Sequence, residues 1–121
     1  MPVLSISYIP LGSDGEFNNT FADMYNTYTF TQLRTKISVI NGLLITALNT
    51  ASKYHGYKDG SATASIAYSI YESKEVLQAL PRSPTYHSWP EGTNQADFFE
   101  VLENNNICNY VDNLGVKEVW L

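Results

Sequence analysis

The sequence predicts an α/β fold, a three-stranded, mainly parallel βαβαβ sheet with helices packed on it. Strand-like and helix-like segments alternate in the order strand, helix, strand, helix, strand, which is typical of βαβ units and a parallel sheet. Hydrophobic residues make up 44% of the 121 residues and charged residues 16%, which supports a buried core. We therefore expect residues 1–121 to form a single α/β domain with right-handed crossovers.

The first strand is predicted at residues 3–9, VLSISYI, where β-branched and aromatic residues partly alternate with serine. Pro10 and the turn-like sequence LGSDGE end this strand. Residues 12–29 are polar and rich in Gly, Asn and Thr, so they are predicted to form a long loop.

The longest helix is predicted from Phe30 to Tyr54, because apolar residues recur there at spacings of three and four. They form one apolar stripe, made of Leu33, Ile37, Ile40, Leu44, Ala47, Ala51 and Tyr54. Thr29 and Gln32 have the spacing of a capping box at its start. Gly42 lies in the middle and costs about 1 kcal/mol relative to alanine, which indicates close packing at that position.

The second strand is predicted at residues 62–73, ATASIAYSIYES, which alternate between bulky and small side chains. The following KEVLQALP continues as strand or short helix. If it is instead a separate antiparallel strand, the order becomes βαββαβ, which is a ferredoxin-like α+β domain. Residues 81–94 contain three of the five prolines and are predicted to be a loop.

A second helical region is predicted from Asn94 to Leu114. The sequence NNN at 104–106 weakens its middle, so it is expected as one helix or as two helices with Asn106 capping the second. Cys108 falls on its apolar stripe and is interpreted as a small core residue. Gly115 ends the region, and VKEVWL is predicted to be the last strand.

Candidate catalytic residues come from the strand ends. Ligands in open α/β sheets bind outside the carboxyl ends of the strands, where Asp14 and Glu72 are expected to lie. Such a carboxylate pair could perform acid/base chemistry or hold a cation. The alternative is that both are ordinary solvated residues. The cluster KYHGYKDG at 53–60 follows a helix and precedes a strand, so it belongs to the opposite edge and is interpreted as a helix end and a turn.

A candidate binding site is the aromatic sequence PTYHSWPEG. Tyr86, His87 and Trp89 in a proline-rich loop could hold a sugar or a peptide, or they could anchor the loop to the domain. No metal site is predicted, because His and Cys lack the HxxxH or CxxC spacing. No cofactor is predicted either, since the chain has no GxxxxGK[ST], GxGxxG or GxSxG motif.

Charge and hydropathy restrict the partners. The net charge of −5 argues against nucleic acid, because binding to phosphates requires clustered Lys and Arg. No apolar run approaches the 18 or so residues that cross a bilayer, so no membrane partner is expected. The start of the chain, MPVLSISYIP, lacks the basic region of a signal peptide.

Two segments carry a resemblance to a known family. YHGYKD with SIAYSIYESKEVLQALP, and NICNYVDNLGVKEVWL, resemble the N-terminal part of a family of uncharacterised bacterial proteins, many of them exported. In that family the last segment continues as GVKEVWIWGYHGG, whereas this sequence stops at Leu121. The resemblance implies a truncated front part of a larger domain and an exported protein. It implies no activity.

Two functions are expected from these observations. The first is an N-terminal fragment of a hydrolase-like α/β enzyme whose site is incomplete here. The second is a non-catalytic binding or assembly module that acts as a homo-oligomer. An open edge at VWL exposes apolar surface, so we expect a two-fold dimer that buries the region around Trp120.

Overall fold

The computed structural model describes residues 1–18, 28–53, 59, 61–88 and 93–121, without the side chains of 84–88 and 93–94. It confirms the α/β class. In chain order, the elements are β1 (Pro2–Tyr8), α1 (Phe30–Ala51), β2 (Ser69–Val76), β3 (Arg82–Ser88), β4 (Thr93–Ala96), α2 (Phe98–Asn104), α3 (Ile107–Asp112) and β5 (Glu118–Trp120).

The main sheet has three parallel strands in the order β2-β1-β5, with β1 in the centre. The connection from β1 to β2 and the connection from β2 to β5 cross the sheet in opposite directions. Two connections of the same hand therefore place their helices on opposite faces. The ferredoxin-like alternative is wrong, because that fold requires an antiparallel strand in the main sheet.

The centre of the core is β1, which is buried on both faces. Val3, Leu4, Ser5 and Ile6 are consecutive and all buried, as expected for the central strand of a parallel sheet. Leu4 and Ile6 pack with Ile107 of α3 and with Val116. Their neighbours in the alternation, Val3 and Ser5, lie on the other face, which α1 covers.

Hydrogen bonds from two asparagines attach α1 to the sheet. Asn41 Nδ2 donates to Ser5 Oγ at 2.9 Å. Asn49 forms two bonds to the backbone before β2, accepting from Tyr68 N at 2.6 Å and donating to Tyr68 O at 3.0 Å. At the start of the helix, Thr29 and Gln32 form the predicted capping box. The helix ends at Ala51, with Ser52 as its C-cap.

The second strand starts later than the alternation predicts. β2 begins at Ser69 and continues to Val76, so residues 62–68 are not part of the strand. The end of α1 holds this segment instead, because Ser52 Oγ donates to Ile66 O at 2.9 Å and Ser65 N donates to Ser52 O at 3.3 Å. The first three residues of KEVLQALP continue the strand.

The predicted loop at 81–94 was also wrong. β3 and β4 form a separate antiparallel pair in which His87 is opposite Asn94. The proline-rich composition that indicates a loop is compatible with a two-stranded ribbon, because a strand with only one neighbour need not donate every N–H.

The second helical region consists of two helices, as the weak NNN segment suggests. Asn106 is the N-cap of α3 in the left-handed region, at φ 53°, and its side chain makes no capping bond. The side chain of Asn105 is buried and donates to Tyr8 Oη and to Val101 O, both at 2.8 Å. The interpretation of Cys108 as a core residue was wrong, since this side chain is exposed.

Gly42 does not pack closely against another part of the chain. A Cβ added to Gly42 would have no neighbour within 4 Å, so the expectation of tight packing was wrong. Gly115 also has open space around it, but its φ is +74°, a conformation that L-residues rarely adopt.

We predict that Gly42→Ala raises the free energy of unfolding by about 1 kcal/mol, because alanine is the better helix former and meets no obstacle. The matched variant Gly115→Ala should lower it by about 1 kcal/mol, because the left-handed conformation strains a residue with a Cβ. Urea unfolding followed by circular dichroism measures both. Destabilisation by Gly42→Ala would show that Gly42 contacts something that its open surroundings do not reveal.

Candidate functional site

The structure separates the two candidate catalytic carboxylates. Asp14 lies in a tight turn after β1, where its Oδ1 accepts from Glu16 N at 3.1 Å. Glu72 is opposite Leu4, four residues before the last paired residues Tyr8 and Val76. At about 3.3 Å per residue, Glu72 lies roughly 13 Å along the strand from the carboxyl edge. The expectation that Glu72 lies at that edge was wrong, because β2 continues to Val76.

Glu72 instead belongs to a small cluster on the face covered by α3. Its Oε2 accepts from Tyr110 Oη at 2.9 Å, and the Tyr110 ring meets the Tyr71 ring edge-on at 6.3 Å. The hydrogen bond to Glu72 raises the pKa of Tyr110 above its ordinary value of 10.0, with smaller contributions from burial and the negative charge. This cluster connects α3 to β2 and extends the pH range over which the Tyr110 hydroxyl stays protonated further into the alkaline region.

The carboxylates nearest the carboxyl edge also have structural partners. Glu16 Oε2 accepts from Phe30 N at 3.0 Å, so it satisfies a free N–H at the start of α1. Glu75 Oε1 pairs with Arg34 Nε at 2.7 Å. No local sequence pattern indicates this role of Glu16, because fourteen residues separate it from the N–H that it binds.

The aromatic binding candidates lie on β3 and directly after it. Tyr86 and His87 are in the strand rather than in a loop. Their side chains, and all of Trp89, lie outside the described part of the chain. Their proposed role in binding therefore stays a prediction.

The described residues show a shallow surface depression and no group of potential metal ligands. Within this part of the chain, no three His, Cys, Asp or Glu side chains are grouped so that they could hold a metal ion. A depression of about 400 Å³ is lined by Thr31, Arg34, Thr35, Ser38 and Val39. All five belong to α1, so the depression is open helix surface rather than a cleft. In the same described residues, no helix combines the length and apolar character that crossing a membrane requires.

The most unusual surface is one side of α1, which we call the α1 flank. It consists of Val39, Ile40, Leu43 and Leu44, which are 45% to 65% exposed to solvent. None of the 22 residues of α1 is buried. At 100° per residue, Ile40 lies about 180° around the helix from Asn49, which bonds to the backbone before β2. Asn41 and Asn49 face the sheet, and the α1 flank is centred on the opposite side of the helix, so it points away from the sheet and into solvent.

The strand β5 adds apolar surface on the same side of the sheet. Trp120 is paired with Ser5, whose side chain faces α1, so both side chains lie on that face. Trp120 is partly buried and its Nε1 donates to Glu118 Oε2 at 3.1 Å. Glu118 Oε1 also accepts from Tyr68 Oη at 3.3 Å. Leu121 is exposed beside Trp120.

Comparison of the chain with protein-family models, with curated proteins and with solved structures found no match. The geometry of the chain itself therefore carries the functional argument.

We predict that Glu72→Gln lowers the pKa of Tyr110 toward 10.0, because the charge that opposes ionisation of the hydroxyl is removed. Titration of the Tyr110 ¹³Cζ NMR signal from about pH 8 to pH 12 measures it. Glu75→Gln is the matched control, since it removes a carboxylate from the same strand on the opposite face. An unchanged Tyr110 pKa in Glu72→Gln would contradict the assignment.

The same shift predicts how stability depends on pH. Because the folded-state pKa of Tyr110 is raised, its contribution is present below pH 10.0 and is lost as pH rises through the folded-state pKa. Tyr110→Phe should therefore lose less stability than the wild type on going from neutral to strongly alkaline pH.

Proposed function

We propose that this chain is a non-catalytic assembly module that binds a second copy of itself through the α1 flank and forms a two-fold dimer. The observation that carries this proposal is the exposure of Val39, Ile40, Leu43 and Leu44 on one side of a 22-residue helix. Apolar side chains concentrated in this way mark interaction surfaces, whereas single exposed ones do not.

The area of this surface fits an interface. The four side chains leave on the order of 400 Å² of apolar area in solvent, about half of what one partner buries in a standard interface. The remainder can come from Trp120, which lies on the same face of the sheet as α1. This arrangement agrees with the expectation that the dimer buries the Trp120 region.

The spacing of residues along α1 supports a helix pair. Ile40, Leu43 and Ala47 continue a pattern of alternating steps of three and four, flanked by Lys36 and Thr50 at its ends. This is the spacing of the a and d positions of a coiled coil. Ala47 is small, so two helices can approach each other closely near that position.

The charges of α1 favour an antiparallel pair. The helix contains Arg34 and Lys36 near its start and no acidic residue, and Ile37–Ala51 carries no charge at all. With a two-fold axis near Leu43, Lys36 of each helix faces the neutral Thr50 of the other. The positive end of each helix dipole then lies beside the negative end of its neighbour. A self-complementary arrangement of this kind is what a two-fold interface requires.

The hydrolase-like alternative has less support. It requires carboxylates that converge at the carboxyl edge, and the spacing of working pairs is about 5–9.5 Å. Asp14 and Glu72 have separate partners, Glu16 caps α1, and Glu75 pairs with Arg34. The acidity of the chain supports a polypeptide partner over nucleic acid.

The test is the oligomeric state of Ile40→Glu and Leu43→Lys. Light scattering at micromolar concentration should give the wild type about twice its chain mass of 13.6 kDa. Each variant should become monomeric, because a charge would be buried in an apolar interface. Both positions are exposed, so the fold itself should tolerate the change, and circular dichroism verifies this.

Thr35→Glu is the matched control, since Thr35 is exposed and lies about 140° around the helix from Ile40. This variant should remain a dimer. A monomeric wild type, or an Ile40→Glu variant that stays dimeric, would contradict the proposal.

A further inference from the structure

The negative charge of the chain is concentrated in one stretch. Between Arg82 and Lys117 there is no lysine or arginine, while the stretch contains five acidic residues, a number equal to the net charge of −5. These are Glu91, Asp97, Glu100, Glu103 and Asp112. The rest of the chain is neutral overall, because its seven acidic residues balance its seven lysines and arginines. The acidic stretch contains α2 and α3, which lie on the sheet face opposite α1.

An aromatic patch lies within this acidic stretch. Phe98, Phe99 and Leu102 of α2 are all exposed, and Phe99 reaches 83%. At 100° per residue the three fall within about 100° of the helix circumference, and Glu103 follows about 40° beyond Phe99. We call these three residues the α2 patch. Val101, about 160° around the helix from Phe99, is buried, as is the C-cap residue Asn105.

Among the described residues, the carboxylates near the α2 patch have no basic partner. In the part of the chain that the structure describes, no lysine or arginine forms an ion pair with Glu100 or Glu103. Glu100 Oε1 accepts only a long bond of 3.4 Å from Asn104, and its backbone N–H is held by Asp97 Oδ1 at 3.0 Å. Two exposed phenylalanines and uncompensated carboxylates therefore share one surface.

We infer that the α2 patch is a docking surface for a basic amphipathic segment of a partner protein. Apolar side chains of such a segment would cover Phe98, Phe99 and Leu102, and its lysines or arginines would pair with Glu100 and Glu103. Charge complementarity argues for this occupant, since opposite charges around an apolar centre attract a partner and fix its orientation. Nucleic acid and anionic membrane surfaces would be repelled.

This surface does not depend on the proposed dimer. The α1 flank lies on one face of the sheet, and the α2 patch belongs to the helices on the other face. A dimer formed through α1 would thus leave two copies of the α2 patch accessible.

The test uses two synthetic helical peptides as probes, one of leucine and lysine in amphipathic order and one in which glutamate replaces every lysine. Fluorescence anisotropy measures their binding to the full chain. The lysine peptide should bind at least about tenfold more tightly than the glutamate peptide, and higher salt should weaken its binding, because the attraction between exposed charges is screened.

Two double variants separate the contribution of the aromatic rings to peptide binding from that of the carboxylates. Phe98→Ser with Phe99→Ser keeps every charge and should weaken binding of the lysine peptide at least about tenfold, as expected for aromatic hot spots. Glu100→Gln with Glu103→Gln keeps the aromatic rings and should reduce both the affinity and its salt dependence. Leu77→Ser, which changes another exposed apolar residue, is the matched control and should bind normally.

Three results would overturn the inference: no binding of the lysine peptide, equal binding of both peptides, or full binding by the Phe98→Ser, Phe99→Ser variant. The same titration on Ile40→Glu distinguishes the two surfaces. If that variant loses the peptide while the phenylalanine variant keeps it, the peptide occupies the α1 flank and the α2 patch is not the docking surface. Circular dichroism of each variant verifies that the fold is retained.

Discussion

The rotation of α1 on the sheet is fixed by two asparagine side chains, and the character of the surface follows from it. Asn41 bonds to Ser5 on the buried central strand, and Asn49 bonds to both backbone groups of Tyr68. Leaving a buried polar group without a partner costs about 1–3 kcal/mol. The helix therefore turns its asparagines toward the sheet, and Ile40 and Leu44 are turned toward solvent. A helix that buried its whole apolar stripe would leave Ser5 and the Tyr68 backbone without these partners.

Much of the fold could be predicted from local sequence signals. The capping box at Thr29 and Gln32 and the division of the second helical region at Asn106 both depend on residues close together in sequence. The alternation of elements, read with the preference for βαβ units, was sufficient for the parallel sheet. Each of these features depends mainly on residues close together in the chain, so it could be predicted from a single sequence.

The features that could not be predicted depend on contacts between distant segments. The apolar stripe of α1 is clear in the sequence, but hydrogen bonds to Ser5 and Tyr68 decide which side faces the sheet. Similarly, Ser52 holds the segment that alternation assigned to β2, so the strand starts at Ser69 and Glu72 lies in its middle. The prediction that Asp14 and Glu72 form a catalytic pair required β2 to end near Glu72. Because β2 continues to Val76, Glu72 is no longer part of the candidate site. The sequence does contain one indication of which side of α1 faces the sheet: Asn41 and Asn49 are eight residues apart and lie on one helix face.

The acidic residues of α2 and α3 make the charge of the described residues unequal between the two sheet faces, which gives this part of the molecule an electric dipole moment with a component perpendicular to the sheet. A charged partner that approaches at random would feel a torque before it touches the surface, and this would turn the α2 and α3 side toward cations. The range of this effect is about 8 Å at physiological ionic strength. In a two-fold dimer with its axis in the plane of the sheet the two perpendicular moments would cancel, whereas an axis perpendicular to the sheet would add them. The symmetry of assembly would then decide whether the complete particle orients in an electric field.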